Sequence, residues 1–241
     1  MNNNNKANII FAAFLLATGI TAAGYFVSQT LYKSKIALNT AEVKGLAERR
    51  VEADTAYWSI QYTVTGESKA EIPALYDDSK ADQNKIISLL KSNGFTDQEI
   101  QPGIINYLKK EFRNEDQKLV EEEHLLVGEI TVETQKVRLV SEVRSNLNTL
   151  IAQGLDIKNN PPAYHFTQLN KIKPEMLKEA TTNARIAANE FATNAGVEVG
   201  GIRSARQGGF VIRDVGENYG DTRKIEKDVR VVTNVTFFLT D

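Results

Sequence analysis

Hydrophobic and polar positions first separate sharply between Ile9 and Val27, a run with no charged side chain. Phe11, Phe14, Leu15, Leu16, Ile20, Tyr25 and Phe26 supply its apolar bulk. At 1.5 Å per residue it reaches about 28 Å as a helix, close to the ~30 Å hydrocarbon core of a bilayer. It is apolar all round, and only the polar tract of residues 1–8 precedes it, so nothing upstream is available to bury it. The pattern predicts a transmembrane or signal-anchor helix over 9–27. A cleavable signal uses Lys6 as its basic end, Ile9 to Ile20 as its apolar stretch and Thr21, Ala22 and Ala23 as its processing site. An uncleaved anchor uses the whole run, with Tyr25, Phe26 and Tyr32 near one interface. Length favours the anchor. Lys6 and the amino terminus balance Lys33 and Lys35, so charge does not orient the helix.

Residues 28–41 are polar with scattered apolar positions and read as a stalk, followed by an α+β domain over 42–241. Val43 to Val51 predicts a strand that pairs through the turn near Glu52 to Asp54 with the next one. In that next strand Ala56, Trp58, Ile60, Tyr62 and Val64 alternate strictly with polar residues, which specifies one buried face. A helix follows over Ala74 to Ser92, opened by Pro73 and ended by Gly94, with Leu75, Ile86, Leu89 and Leu90 as its apolar positions. Ile100 to Phe112 and Leu125 to Gln135 are strands, joined by a charged hairpin tip over Arg113 to His124. Val137 to Ala152 predicts a second helix closed by Gly154. Ile157 to Leu169 is extended, and Pro161 and Pro162 suit an edge.

Pro174 opens a third helix running to about Ala195, with Leu177, Ala180, Ala184, Ala187, Ala188 and Phe191 at helical spacing. Val197 to Gln207 and Val229 to Thr240 close the chain as strands, the last with Val229, Val231, Val235, Phe237 and Leu239 on one face. Interleaved strands and helices indicate a layered α+β fold with antiparallel-rich sheets. The first and third helices share a glycine cap with an isoleucine six residues on, Gly94 to Ile100 and Gly196 to Ile202, which fits either a duplicated half or ordinary helix capping.

Composition narrows the function classes. With 41% hydrophobic and 25% charged residues the chain is ordinary globular material. It contains no cysteine, which removes thiolate chemistry and disulfides. A net charge of -2 provides no field to hold nucleic acid, and none is expected as a partner. The two histidines, His124 and His165, lie far apart and make no metal motif. Glu121, Glu122, Glu123 and His124 read as a solvated turn. Gly200-Gly201, Gly208-Gly209, Arg203, Arg206 and Arg213 lack the lysine and hydroxyl of a phosphate loop and read as bulges and turns. Ser204 has no glycine elbow. Lys109 and Lys110 with Tyr107 and Phe112 form a basic and aromatic cluster that Glu111, Glu115 and Asp116 neutralise. Trp58 reads as core. No catalytic, cofactor-binding or metal-binding residue and no cofactor is predicted.

Val43-Lys44-Gly45-Leu46-Ala47-Glu48 and Val51-Glu52-Ala53-Asp54-Thr55-Ala56, followed by the alternating strand, resemble the opening of SIMPL-domain proteins. Ala184, Ala188, Phe191 and Ala192 before Gly196, then Gly200-Gly201-Ile202 and Val229-Arg230-Val231-Val232, resemble the family's carboxy-terminal end. Ala53 stands where relatives commonly carry a proline before the turn aspartate. The resemblance implies a bacterial envelope location facing the periplasm, a tendency to rings or larger homo-oligomers, a loose link to oxidative-stress tolerance, and no catalytic residues. The expectation is a non-enzymatic envelope protein that acts by self-association or protein contacts. The alternative is a binding module for a small hydrophobic or envelope ligand in a groove between helices and sheet. An enzyme comes third.

Overall fold

The computed structural model describes residues 3–36 and 39–240, with side chains described over 9–32 and 39–240. Met1 and Asn2 of the polar tract, Ala37 and Leu38 of the expected stalk, and Asp241 lie outside the described residues, as do the side chains of Lys6, Lys33 and Lys35. Helix α1 spans Asn3–Ile36, so it continues through most of the segment expected as a stalk. Its apolar stretch Ile9–Tyr32 has 24 residues, about 36 Å of helix, and its side chains are exposed throughout. The hydroxyls of Thr18, Thr21 and Thr30 donate back to the carbonyls of Phe14, Ala17 and Phe26 at 2.7–2.8 Å. These hydroxyls therefore need no other acceptor, as an apolar environment requires. The helix has the length and apolar surface of a membrane segment or signal anchor.

In chain order there follow β1 (Thr40–Glu52), β2 (Thr55–Gly66), α2 (Ile72–Ser92), β3 (Ile100–Pro102), β4 (Asn106–Arg113), β5 (Leu119–Thr134), α3 (Val137–Val143) and α4 (Leu147–Ala152). Then come β6 (Asp156–Asn159), β7 (Ala163–His165), α5 (Leu169–Ala195), β8 (Glu198–Gln207), β9 (Val211–Asp214) and β10 (Glu226–Thr240). Helices and antiparallel sheets interleave, which is the α+β class read from the sequence. The chain divides into two compact units that interleave in sequence: Met1–Ala47 with Pro174–Phe210 and Val231–Asp241, and Glu48–Lys173 with Val211–Arg230.

In the first unit the strands follow the order β1-β10-β8. Met176, Ala180, Ala184, Ala188 and Ala192 are the buried residues of α5, each four after the last. Ala184 and Ala188 pack with Val43, Val235 and Phe237. Small side chains let the helix backbone approach the sheet, and Gly45 completes the approach, since a Cβ there would collide with the carbonyl oxygen of Ala180. The Asn183 amide donates to the Leu46 carbonyl at 2.7 Å and locks the same contact. The contact line follows the i, i+4 ridge, which is inclined to the helix axis and rotates around it toward the carboxy end. Phe191 consequently falls off the line and is 65% exposed, and Leu177 is half-buried, whereas helical periodicity alone predicts both on the packed face.

In the second unit β2 is a central strand of the order β3-β5-β2-β6, with β4 extending β5 and β7 also on β2. Ala56, Trp58, Ile60 and Tyr62 are buried as the alternation requires, against Ile86 and Leu90 of α2, Val140 and Val143 of α3, and Leu147 and Leu150 of α4. A Trp buries 150–250 Å², so Trp58 alone contributes up to about 4–6 kcal/mol of transfer free energy. Its indole N–H donates to Asn159 Oδ1 at 3.2 Å.

Four local expectations are corrected. β1 does not pair with β2, because β2 pairs with β5 along one edge and with β6 and β7 along the other; β1 joins β10 instead. The strand expected over Ile100 to Phe112 is broken after Pro102, and both pieces pair with β5. The helix expected over Val137 to Ala152 is interrupted at Arg144–Asn146, where the Arg144 carbonyl accepts from the Asn159 amide. α5 begins at Leu169 upstream of Pro174, because the backbone amides of Thr167 and Gln168 donate to the Asp54 carboxylate at 3.0–3.1 Å and start the helix there. Gly94, Gly154 and Gly196 all have positive φ and close α2, α4 and α5 with the same pair of amide bonds, for example Phe95 N–H to Leu90 and Gly94 N–H to Lys91. The echo between Gly94 and Gly196 is therefore capping chemistry shared by α4 as well.

Gly45→Ala is expected to lower stability by about 3 kcal/mol, the upper part of the range for overpacking, read as a lower urea midpoint. Gly201→Ala, where an added Cβ meets open space, is expected to stay within about 0.5 kcal/mol. An unchanged midpoint for Gly45→Ala would refute the close helix-to-sheet approach.

Candidate interaction site

The residues singled out for chemistry are dispersed into structural roles. His124 sits in β5, not in a turn, and is 2% exposed. Its Nδ1 lies 2.8 Å from the Tyr107 hydroxyl, with the two rings stacked. His165 lies in β7 with its ring edge-on to Tyr57 at 5.5 Å. Among the described residues no three His, Asp or Glu side chains gather as a metal site. Gly200 and Gly201 are strand positions of β8, and the Gly208 amide donates to the Val232 carbonyl at 2.8 Å. The register of β8 against β10 shifts beside them, between Thr236 and Leu239, as bulges do. The Ser204 hydroxyl donates to Thr236 Oγ1 at 3.2 Å.

Four carboxylates lie below their ordinary range, and three of them, Asp54, Asp214 and Glu99, are engaged in the framework. Burial alone would raise the Asp54 carboxyl, but the side chain and backbone of Thr167, the Thr55 hydroxyl and the Gln168 amide together hold it down. For Asp214 burial acts upward too, and the Lys227 ammonium with the amides of Arg223 and Lys224 brings it down. Lys227 is fully buried on the inner face of β10 and also donates to the Asp221 carbonyl at 2.6 Å, so the pair clips the loop before β10. Glu99 borders a polar cleft of about 580 Å³ with Gln101, Glu133 and Lys136. Its burial acts upward, but the Thr134 hydroxyl, the Lys136 ammonium and the Thr96 amide and hydroxyl carry it to about 2. A carboxylate that acidic is a poor proton acceptor near neutral pH. Glu99 instead ties the loop after α2 to the end of β5.

One exposed apolar surface outside α1 is a β-hairpin arm. β2 pairs with β5 only as far as His124, so Leu119 to Glu123 are held by β4 alone. The tip closes tightly: the Asn114 side chain accepts from the Lys118 amide at 2.9 Å, and Gln117 takes positive φ. Leu108, Phe112, Leu119 and Val120 are exposed by 44–68%. Lys109 pairs with Glu111 and Glu122 at 2.9 and 2.8 Å, and Lys110 faces Glu123 at 3.9 Å. The neutralising partners are thus Glu111 and cross-strand glutamates, in place of the expected Glu115 and Asp116. Hydrogen bonds and charge from Lys109 and Arg113 carry the Glu111 carboxyl to about 2.

A second apolar surface lies in the other unit. The flank of α5 that the i, i+4 ridge leaves uncovered borders a groove of about 510 Å³ whose walls include Leu177, Ile186, Ile202 and Phe237. Lys178 and Arg185 also line it, and the Arg185 guanidinium lies 5.6 Å above the Phe237 ring, within cation–π reach. Periodicity along α5 does not mark this groove, because Ile186 lies off the apolar stripe and Ile202 and Phe237 reach it from β8 and β10.

Comparison with known families gives one match: the family model described as SIMPL, a protein of unknown function (DUF541), covers residues 41–237. No curated protein matches the chain. That description names no reaction, and the role of Glu99 can be measured directly. Its lowered pKa contributes stability that is fully present above the ordinary carboxyl value of 4.5 and is lost as pH falls toward about 2. Glu99→Gln is expected to lower the urea midpoint at pH 7, with the difference from wild type narrowing between pH 4.5 and 2. A difference that stays constant over that range would contradict the assigned network.

Proposed function

Because this chain belongs to the SIMPL family, we propose that it is a non-enzymatic bacterial envelope protein that acts by self-association or protein contacts, held at the inner membrane by α1 with the rest in the periplasm. The arm carries this reading. Its paired strands present Leu108, Phe112, Leu119 and Val120 to solvent, and clustered apolar side chains of that kind mark protein contact sites. The membrane part is supported by the exposed apolar stretch Ile9–Tyr32. Periplasmic placement and a role in envelope or oxidative-stress tolerance rest on the family resemblance, since the flanking charges do not orient the helix. Asp54, Glu99 and Asp214 support the non-enzymatic part, because each is occupied by structural partners.

A second reading is a binding module for a small hydrophobic or envelope ligand. The α5 groove favours it, since about 510 Å³ lies within the size range of small-molecule sites.

Removing α1 uncovers no core, since the side chains of Ile9–Tyr32 are already exposed. Residues 39–241 are therefore expected to give multiples of the protomer mass by light scattering as concentration rises, and a single protomer at the highest concentration would overturn self-association. With the full chain in cells, protease is expected to degrade the domain once the outer membrane is opened. Degradation only after the inner membrane is breached would overturn the periplasmic placement.

A further inference from the structure

We infer that the groove beside α5 receives the hairpin arm of a second copy of this chain, with Phe112 and Leu108 as the inserted side chains. The inference rests on the self-association reading and names its contact. Cross-strand register puts Leu108, Lys110 and Phe112 on one face of the arm, opposite Leu125, Glu123 and Glu121. On the other face Tyr107 stacks on His124 and Lys109 is held by Glu111 and Glu122, while Leu119, opposite Arg113, is also exposed. Leu108 is 52% and Phe112 44% exposed, so the first face presents open apolar side chains.

The groove has the complementary character. Ile186 and Ile202 are 54% and 49% exposed at its walls, and Phe237 lines its buried side. Its charged lining residues, Lys178 and Arg185, are both basic. Arg185 is positioned by Phe237 and by the carbonyls of Gly200 and Val199 at 3.4–3.5 Å. On the arm, Lys110 and Glu123 face each other, so Glu121 beside Phe112 adds a net negative charge to the inserted face. A basic rim around an apolar groove matches an acidic rim around an apolar knob. An apolar acid from a lipid would satisfy the groove alone, whereas a second copy covers both exposed surfaces with one contact. The two surfaces differ, so each copy both gives and accepts an arm, either by reciprocal exchange about a two-fold axis or head-to-tail in a ring or filament.

The natural chain has no cysteine, so single engineered thiols report one contact without background. Full-length Lys110→Cys and full-length Asn189→Cys, both at exposed positions flanking the proposed contact, are co-reconstituted in lipid vesicles and treated with a short bismaleimide. A covalent dimer is expected from the mixture and from neither protein alone. Adding Phe112→Glu to the arm copy is expected to cut its yield about tenfold or more, the scale of a hot-spot side chain. Dimers from Lys110→Cys alone would show arm meeting arm and overturn the inference. No covalent dimer while light scattering still finds oligomers would overturn this contact and leave self-association standing; monomers throughout would remove both. A lipid that travels with the monomer in native mass spectra and is lost in Ile186→Glu would assign the groove to a ligand instead.

Discussion

A strand carries two rows of backbone hydrogen-bonding groups, and β2 satisfies both inside its own sheet: β5 along one edge, β6 and β7 along the other. The consequences run through both neighbours of the turn before it. β1 finds no free edge on β2 and joins β10, so two strands adjacent in sequence belong to different sheets. The amides of Ala53 and Asp54 in that turn bond to the carbonyls of Ile225 and His165. The Asp54 side chain then accepts the amides of Thr167 and Gln168. One short turn thereby fixes where a remote helix starts, an arrangement that no local pattern around residue 169 reveals.

What was legible in the sequence is what depends on short-range periodicity. Alternation from Ala56 to Tyr62 gave β2 and its buried face, and the charge-free run from Ile9 gave α1. Glycine caps gave the ends of α2, α4 and α5, because a positive φ immediately after a helix is a local demand that glycine meets without a Cβ clash. The misses lie where partners are distant. Lys227 continues the inner face of β10 on the same alternation as Val229, but a lysine is read as solvent-facing until Asp214 is seen beneath it. Three preceding glutamates make His124 read as part of a turn, whereas cross-strand pairing with Lys109 and Lys110 makes that acidic run a strand.

The groove illustrates a different limit. Helical periodicity predicts a straight apolar stripe, while α5 contacts its sheet along a four-residue ridge made of alanines. A ridge of small residues brings the helix close, and the same narrowness leaves larger side chains on the flanks without cover. Leu177 and Ile186 line the groove on one flank for that reason, and Phe191 stands exposed elsewhere on the helix. Close packing in the middle and open apolar surface beside it are thus one feature of the sequence.

The arm shows how such surface is tolerated. A two-stranded ribbon is marginal by itself, and exposed ion pairs such as Lys109 with Glu122 contribute only about 0.2–1 kcal/mol each. The ribbon gains most of its order from β5, which is anchored at its other end between β2 and β3. β4 leaves an edge that invites indiscriminate pairing, and Lys109, Lys110 and Arg113 along it oppose that outcome by charge. Leu108 lies opposite the buried Leu125, yet it and Phe112 each leave about half of their surface open. Their open side chains gain further burial only when another surface covers them, which is what the proposed contact supplies.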